Sequence, residues 1–241
     1  MMEAVTFGNG ATIAALGIAI VAFIALVPIE RRAVAPVISP ALFKSRQLVF
    51  TYSLEILIGV LEGALFFIPA ALVAADRISF VAAGAIAAIG ALMFVAVIPV
   101  AGRALDAIGS RAVLTVGATF TAFGLAFFAA TLEHLWFAIA GIAIAGIGFG
   151  ALLGAPTRYI ITNEVPPSSR ATAVGLLSIF LIIGQIFGGS LAGGAIGGRI
   201  DDVGAYRLAY EIFAVVAVIA VVGTFGLASR ETKRKEPVVA P

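Results

Sequence analysis

Apolar runs of 19 to 29 residues recur seven times along this chain, at residues 11–29, 47–75, 80–101, 112–132, 135–157, 171–198 and 208–228. A helix rises 1.5 Å per residue, so about 20 apolar residues cross a hydrocarbon core of roughly 30 Å. The runs are continuous, whereas a barrel strand alternates over about ten residues. Backbone groups in lipid must bond within their own segment, which makes each run a helix. The expected fold is therefore an all-α membrane protein with seven transmembrane helices. At 62% hydrophobic and 12% charged, with a mean hydropathy of +1.16, the chain is too apolar for a water-soluble domain. Cysteine is absent and His134 is the one histidine, which excludes thiol chemistry and argues against a histidine metal site. No cofactor is expected. The first run is too long, and lacks the basic leader, for a cleavable signal peptide.

Assigning the charges to alternate gaps exposes an asymmetry. Arg31, Arg32, Lys44, Arg46, Arg103, Arg111, Arg158, Arg170, Arg230, Lys233, Arg234 and Lys235 fall on one side, and Arg77, Arg199 and Arg207 on the other, twelve against three of the 15 basic residues. The positive-inside rule places the larger group in the cytoplasm. The expected N-terminus is outside and the C-terminus cytoplasmic, in the inner (plasma) membrane. Basic residues scattered over several loops form no nucleic-acid surface, and most serve as topology signals and lipid anchors.

The first run stands apart. A segment with Glu30, Arg31, Arg32, Pro36 and Pro40 follows it, and residues 40–46 read as an interfacial elbow whose Lys44 and Arg46 reach headgroups. The expected organisation is an extra helix and elbow over 1–46, a six-helix domain over 47–228 and a basic tail over 229–241. The six later runs form two triplets, 47–132 and 135–228. Such triplets can be inverted repeats, but no residue-level repeat is visible.

Between the third and fourth runs lies Gly102-Arg-Ala-Leu-Asp106-Ala-Ile-Gly109-Ser-Arg111, read as a charged, glycine-punctuated cytoplasmic loop. Gly102 and Gly109 permit tight turns, Asp106 suits the positive end of the following helix, and Arg103 and Arg111 suit phosphate or carboxylate partners. An ordinary inside loop obeying charge rules is the plain alternative. The order resembles the signature G-x-x-x-D-x-x-G-x-[RK] of the major facilitator superfamily, with all four fixed positions matched. With six spans around that signature, an extra helix before them and a Pro-x-x-x-Pro-x-x-Phe-Lys-x-Arg elbow, the chain most resembles the C-terminal half of the fourteen-helix drug:proton antiporters. Arg230-Glu231-Thr232-Lys233 is similar to the motif that follows the last helix of a half in some members. The resemblance implies a six-helix half-domain, with the signature as conformational switch. It also implies need of an N-terminal half-transporter or a second copy, since one copy should not complete an alternating-access cavity.

Two carboxylates interrupt the second run. Glu62 lies near its middle, where an ionised group costs at least ~2.5 kcal/mol. Glu55 is seven residues earlier, on the same helical face and about 10 Å away along the axis. Gly59, Phe66 and Pro69 continue that face as a close-approach point, an aromatic wall and a kink. A buried carboxylate whose proton is held in one facing of a cavity and released in the other performs proton antiport. The resemblance places this run at a cavity-lining position. The alternative is a permanently protonated, hydrogen-bonded structural role for each.

Gly146, Gly150 and Gly154 form one ladder, and Gly184, Gly188 and Gly189/Gly193 another; they suit either sliding or static close packing. Gln185 sits mid-membrane as substrate ligand or interhelical tie. Arg158 and Glu164 flank the inner end of their run as a latch, pairing with each other or with the signature. Trp136, Tyr206, Tyr210 and Glu211 read as an outer aromatic belt. The function expected is proton-coupled export of a small amphipathic or cationic compound by half of a secondary transporter, and not enzymatic activity. Rival readings are an inactive split fragment and a seven-helix receptor. A retinal protein is excluded because residues 208–228 lack a lysine.

Overall fold

The computed structural model describes residues 40–43, 45–76 and 78–227. The chain divides into two compact units, Met1–Leu42 and Phe43–Pro241, and every α-helix described belongs to the second. Among the described residues there are six helical spans long and apolar enough to cross a membrane, and no strand. The expected first helix, Lys44 of the elbow, Arg77 and the basic tail lie outside the described residues, while the elbow's Pro40–Phe43 form a 3₁₀ turn.

The helices are α1 (Arg46–Gly63), α2 (Ile68–Asp76), α3 (Phe80–Ile108), α4 (Ser110–Ala130), α5 (Leu135–Leu152), α6 (Pro156–Glu164), α7 (Arg170–Ile196) and α8 (Val203–Thr224). Two spans are composite. A 3₁₀ turn, Ala64–Phe67, joins α1 to α2, so the α-helical path is interrupted in the turn before Pro69, where a kink was expected. Leu153 to Ala155 separate α5 from α6, where Pro156 takes the first helical position and lacks the N–H that would continue α5.

The segment read as a ten-residue loop is mostly helix. α3 continues through Gly102, Arg103 and Asp106 to Ile108, and only Gly109, at φ 85°, breaks the path into α4. The cause is an apolar stripe that persists beneath the charges: Ala101 and Leu105 are buried with Val113 and Ala151. A residue with a Cβ is strained at such a φ, which is where glycine is needed; Gly102 is helical and needs none of that freedom. Asp106 is exposed, and no side chain caps the N-terminus of α4.

Helix pairs α4–α5, α1–α7, α3–α5 and α4–α8 make the most extensive contacts. Glycines set their closeness. A Cβ on Gly184 would collide with Ile56 O and stand 2.9 Å from Gly59 Cα; one on Gly188 would collide with Val60 O. Gly146 and Gly150 likewise lie on the Gly90 and Phe94 carbonyls of α3. Gly189 and Gly193 meet nothing, and Gly154 lies in the α5–α6 break near its own chain, so only part of each expected ladder packs between helices. The core between these pairs is filled by Phe128, Phe149, Tyr210, Phe213, Leu114 and Leu125, all essentially inaccessible.

Candidate functional site

Glu62 occupies the last turn of α1, one residue before the close α1–α7 contact at Gly63 and Gly188. Its half-buried carboxylate accepts a hydrogen bond from Gln185 Nε2 of α7 at 2.8 Å. The same residue lines a cavity of about 330 Å³ between the first span, α3 and α5. Leu65 and Ile68 form one wall, Ala87, Ala91 and Phe94 a second, and Ile142, Gly146 and Phe149 a third. Glu62 is the one ionisable side chain among its lining residues. A half-buried carboxylate in an otherwise apolar, partly aromatic chamber suits a cation with apolar bulk.

Glu55 is separated from this chamber. It is buried, 8% exposed, and does not line the cavity. Its polar surroundings come from α6, where the Thr157 side chain hydrogen-bonds with it and the charge of Arg158 acts on it, and from Glu62 on its own helix. Glu55 Oε2 has no hydrogen-bond partner among the described residues, nor has the hydroxyl of Tyr52, one turn earlier in α1. Tyr52 is held by rings, with Phe180 at 5.2 Å and Phe43 at 5.6 Å.

Several expected placements change. Phe66 is 71% exposed and is not an aromatic wall of the chamber. The 3₁₀ turn advances about 120° per residue in place of 100°, which carries Phe66 off the face it would share with Glu62; Phe94 and Phe149 supply the rings instead. Arg158 and Glu164, six residues apart on α6, point about 120° apart around its axis. Ion pairs join Arg199 to Asp202 at 3.4 Å and Arg207 to Glu133 at 3.1 Å. Arg111 stacks its guanidinium on Phe225, 5.1 Å from the ring centroid, after the end of α8.

Tyr210 is no belt residue. It is wholly buried, edge-on to Phe128 at 4.6 Å, and its hydroxyl donates to Ala64 O at 2.9 Å. Tyr206, Tyr210, Phe213 and Ala217 are all buried on α8. Their spacing of four, three and four was the sequence signal for an inward stripe. Trp136, 81% exposed, does fit an interfacial belt.

Comparison with known proteins agrees with this architecture. The family model of the Major Facilitator Superfamily matches residues 4–240. The chain belongs to that superfamily. A vacuolar membrane amino acid uptake transporter, fnx2, of Schizosaccharomyces pombe (strain 972 / ATCC 24843) is 31% identical over 123 residues, covering 51% of this chain and 20% of fnx2. An uncharacterised transporter of the major facilitator type, YfiU of Bacillus subtilis (strain 168), is 39% identical over 82 residues, covering 34% of this chain and 15% of YfiU. The matched stretches thus span a fifth or less of these relatives. As a major facilitator protein, the chain is a multi-pass membrane protein of a transporter family, a class that acts on small molecules in a bilayer and is not generally enzymatic.

Proposed function

We propose that this chain is half of a proton-coupled exporter of small amphipathic or cationic compounds, working by alternating access with a second six-helix unit. The observation that carries the reading is Glu62: a mid-span carboxylate tied to Gln185 and opening on an apolar chamber. Exchange of a proton for a cation at one carboxylate couples their movements, because the two cannot neutralise it together. Gln185 holds the carboxylate between exchanges. Glu55, with Thr157 and Arg158 beside it, serves as the inner relay.

In this reading the N-terminus is outside, the C-terminus cytoplasmic, and the protein sits in the inner membrane. Gly102, Arg103, Asp106, Gly109 and Arg111 form the switch, with Gly109 as its pivot and Arg111 tied to Phe225. Arg158 and Glu164 act as inner gate residues through different partners. A second unit, a separate N-terminal half or another copy, is supported by uneven burial. Only 6% of an apolar 18-residue stretch of α3 and 28% of that of the α7 span are buried, against 44–56% in the other four spans.

The experiment is efflux of a cationic dye together with proton flux in proteoliposomes under an imposed pH gradient, with the second unit identified by co-purification. Glu62→Gln keeps the size and hydrogen bonding of the side chain but cannot ionise, so it should abolish proton-driven export with folding intact. Glu55→Gln should be milder. Wild-type coupling in Glu62→Gln would assign that residue to structure.

A further inference from the structure

The chamber is uneven along its length. Glu62, Phe94 and Phe149 stand at the middle of their spans, Arg46–Ala75, Phe80–Ile108 and Leu135–Glu164. Carboxylate and rings therefore share one level, where a cation meets charge and π-faces together. From that level the lining runs mainly toward the connection between α2 and α3. Ile68 lies six residues beyond Glu62 and Gly84 ten residues before Phe94, about 9 Å and about 15 Å away at 1.5 Å per residue. Every side chain lining that stretch is aliphatic.

Three glycines line the chamber, and packing accounts for two of them. A Cβ on Gly90 would stand 2.8 Å from Ile142 Cγ2, and one on Gly146 would collide with Gly90 O. Gly84 differs, because a Cβ there meets nothing within 4 Å. Neither a helix contact nor a positive φ requires glycine at 84, so what its missing side chain leaves is space. That space is inside the chamber. At 100° per residue Ala87 lies about 60° to one side of Gly84 and Ala88 about 40° to the other, with Ala91 about 20° away, and all three line the wall. We propose that Gly84 is a specificity-determining residue of the transport site: it keeps the far end of the chamber open for the apolar tail of a cargo whose cationic head is held at Glu62. The class of cargo so defined is a single-headed cation with one extended tail. A cation charged at both ends would bury its second charge among aliphatic side chains. The proposal rests on the reading of Glu62 as the charge of the chamber.

The test uses the full chain in nanodiscs and alkyltrimethylammonium ions with butyl, hexyl, octyl, decyl and dodecyl tails, their binding corrected against protein-free nanodiscs. Gly84→Leu fills the far end of the chamber without meeting a neighbour at its Cβ. Only the long tails reach position 84. The ratio of parent to Gly84→Leu affinity should therefore be near one for butyl and rise to about tenfold or more for dodecyl, since each methylene kept out of the chamber loses about fourfold. Gly84→Ala should show the same trend, reduced. Gly175→Leu, on α7 with open space around it and away from the chamber lining, should give a ratio near one at every length. A Gly84→Leu ratio that is the same at every length overturns the proposal, whether that ratio is one or larger. Decamethonium, charged at both ends, should bind about tenfold or more weakly than decyltrimethylammonium, and equal binding would overturn the single-headed class. Glu62→Gln should weaken every length alike, by about tenfold. If it weakens none, the reading of Glu62 fails, and the length dependence still decides Gly84. Failure of every tail length to bind the parent overturns both.

Discussion

Gln185 follows Gly184 by one residue, and that adjacency is why its amide reaches Glu62: with Gly184 set against Ile56 O and Gly59, the next side chain falls 2.8 Å from the Glu62 carboxylate. Backbone contact and polar contact are thus one construction. The glycine brings the helices to touching distance, and the glutamine uses the distance.

Gly184→Leu should therefore separate α1 from α7 and take the hydrogen bond with it. A side chain forced against backbone cannot be relieved by a rotamer change, so the loss should reach or exceed the ~1–3 kcal/mol of ordinary overpacking. Gly189→Leu, at a position with nothing within 4 Å of a Cβ, should be tolerated. Thermal unfolding in detergent measures both, and equal effects would show that the interlock does not hold the pair together.

Gln185→Leu leaves the Glu62 carboxylate without its partner while retaining bulk at the helix contact. Interhelical hydrogen bonds in membranes contribute about 0.6 kcal/mol on average and up to about 1.7. A double-mutant cycle of Gln185→Leu with Glu62→Leu, followed by denaturant unfolding in mixed micelles, should give a coupling in that range. A coupling near zero would mean that the bond contributes nothing to stability, and would leave Gln185 with a role in transport alone.

The spans and the carboxylates were legible in the sequence because hydropathy over twenty residues and a charge inside an apolar run are both one-dimensional signals. Six expected runs correspond to the six described spans, with α3 reaching seven residues further than its run and α6 seven beyond the end of its own. Those extensions were hidden because charge lowers hydropathy without ending a helix: Leu105 stays buried among exposed Arg103 and Asp106. The chamber was less legible. Phe94 and Phe149 come from different helices, and their convergence depends on Gly146 and Gly150 settling on α3. The burial of Tyr210 was readable as a helical stripe but was masked by its nearness to Tyr206 and Glu211 in an apparent belt. Its bond to Ala64, 146 residues away, has no local signature.

At the α3–α4 junction two glycines should respond oppositely. Gly109→Ala places a Cβ at φ 85° and should cost about 1–2 kcal/mol. Gly102→Ala, in helix with open space around it, should stabilise by about 0.5–1 kcal/mol. Unfolding midpoints of the two variants decide the matter. Destabilisation by Gly102→Ala would favour a flexible loop over the observed helix, and neutrality of Gly109→Ala would remove Gly109 as a pivot.

The orientation can be tested at two positions whose relation depends on span parity alone. Ser110 opens α4 and Asp201 lies between α7 and α8; the spans Ser110–Ala130, Leu135–Glu164 and Pro167–Ile196 separate them. Three crossings place the two positions on opposite faces. The twelve-to-three basic bias then selects which face is which, with Ser110 cytoplasmic beside Arg103 and Arg111, and Asp201 outside near Arg199 and Arg207. Single cysteines at Ser110 and Asp201, labelled in intact cells with an impermeant maleimide, should react only at 201, and in inverted vesicles only at 110. Labelling of both from one side would break the three-span count. Labelling in the reversed sense would leave the helices intact but overturn the inside assignment, and with it the placement of the α3–α4 switch and of the Glu55 relay on the cytoplasmic side.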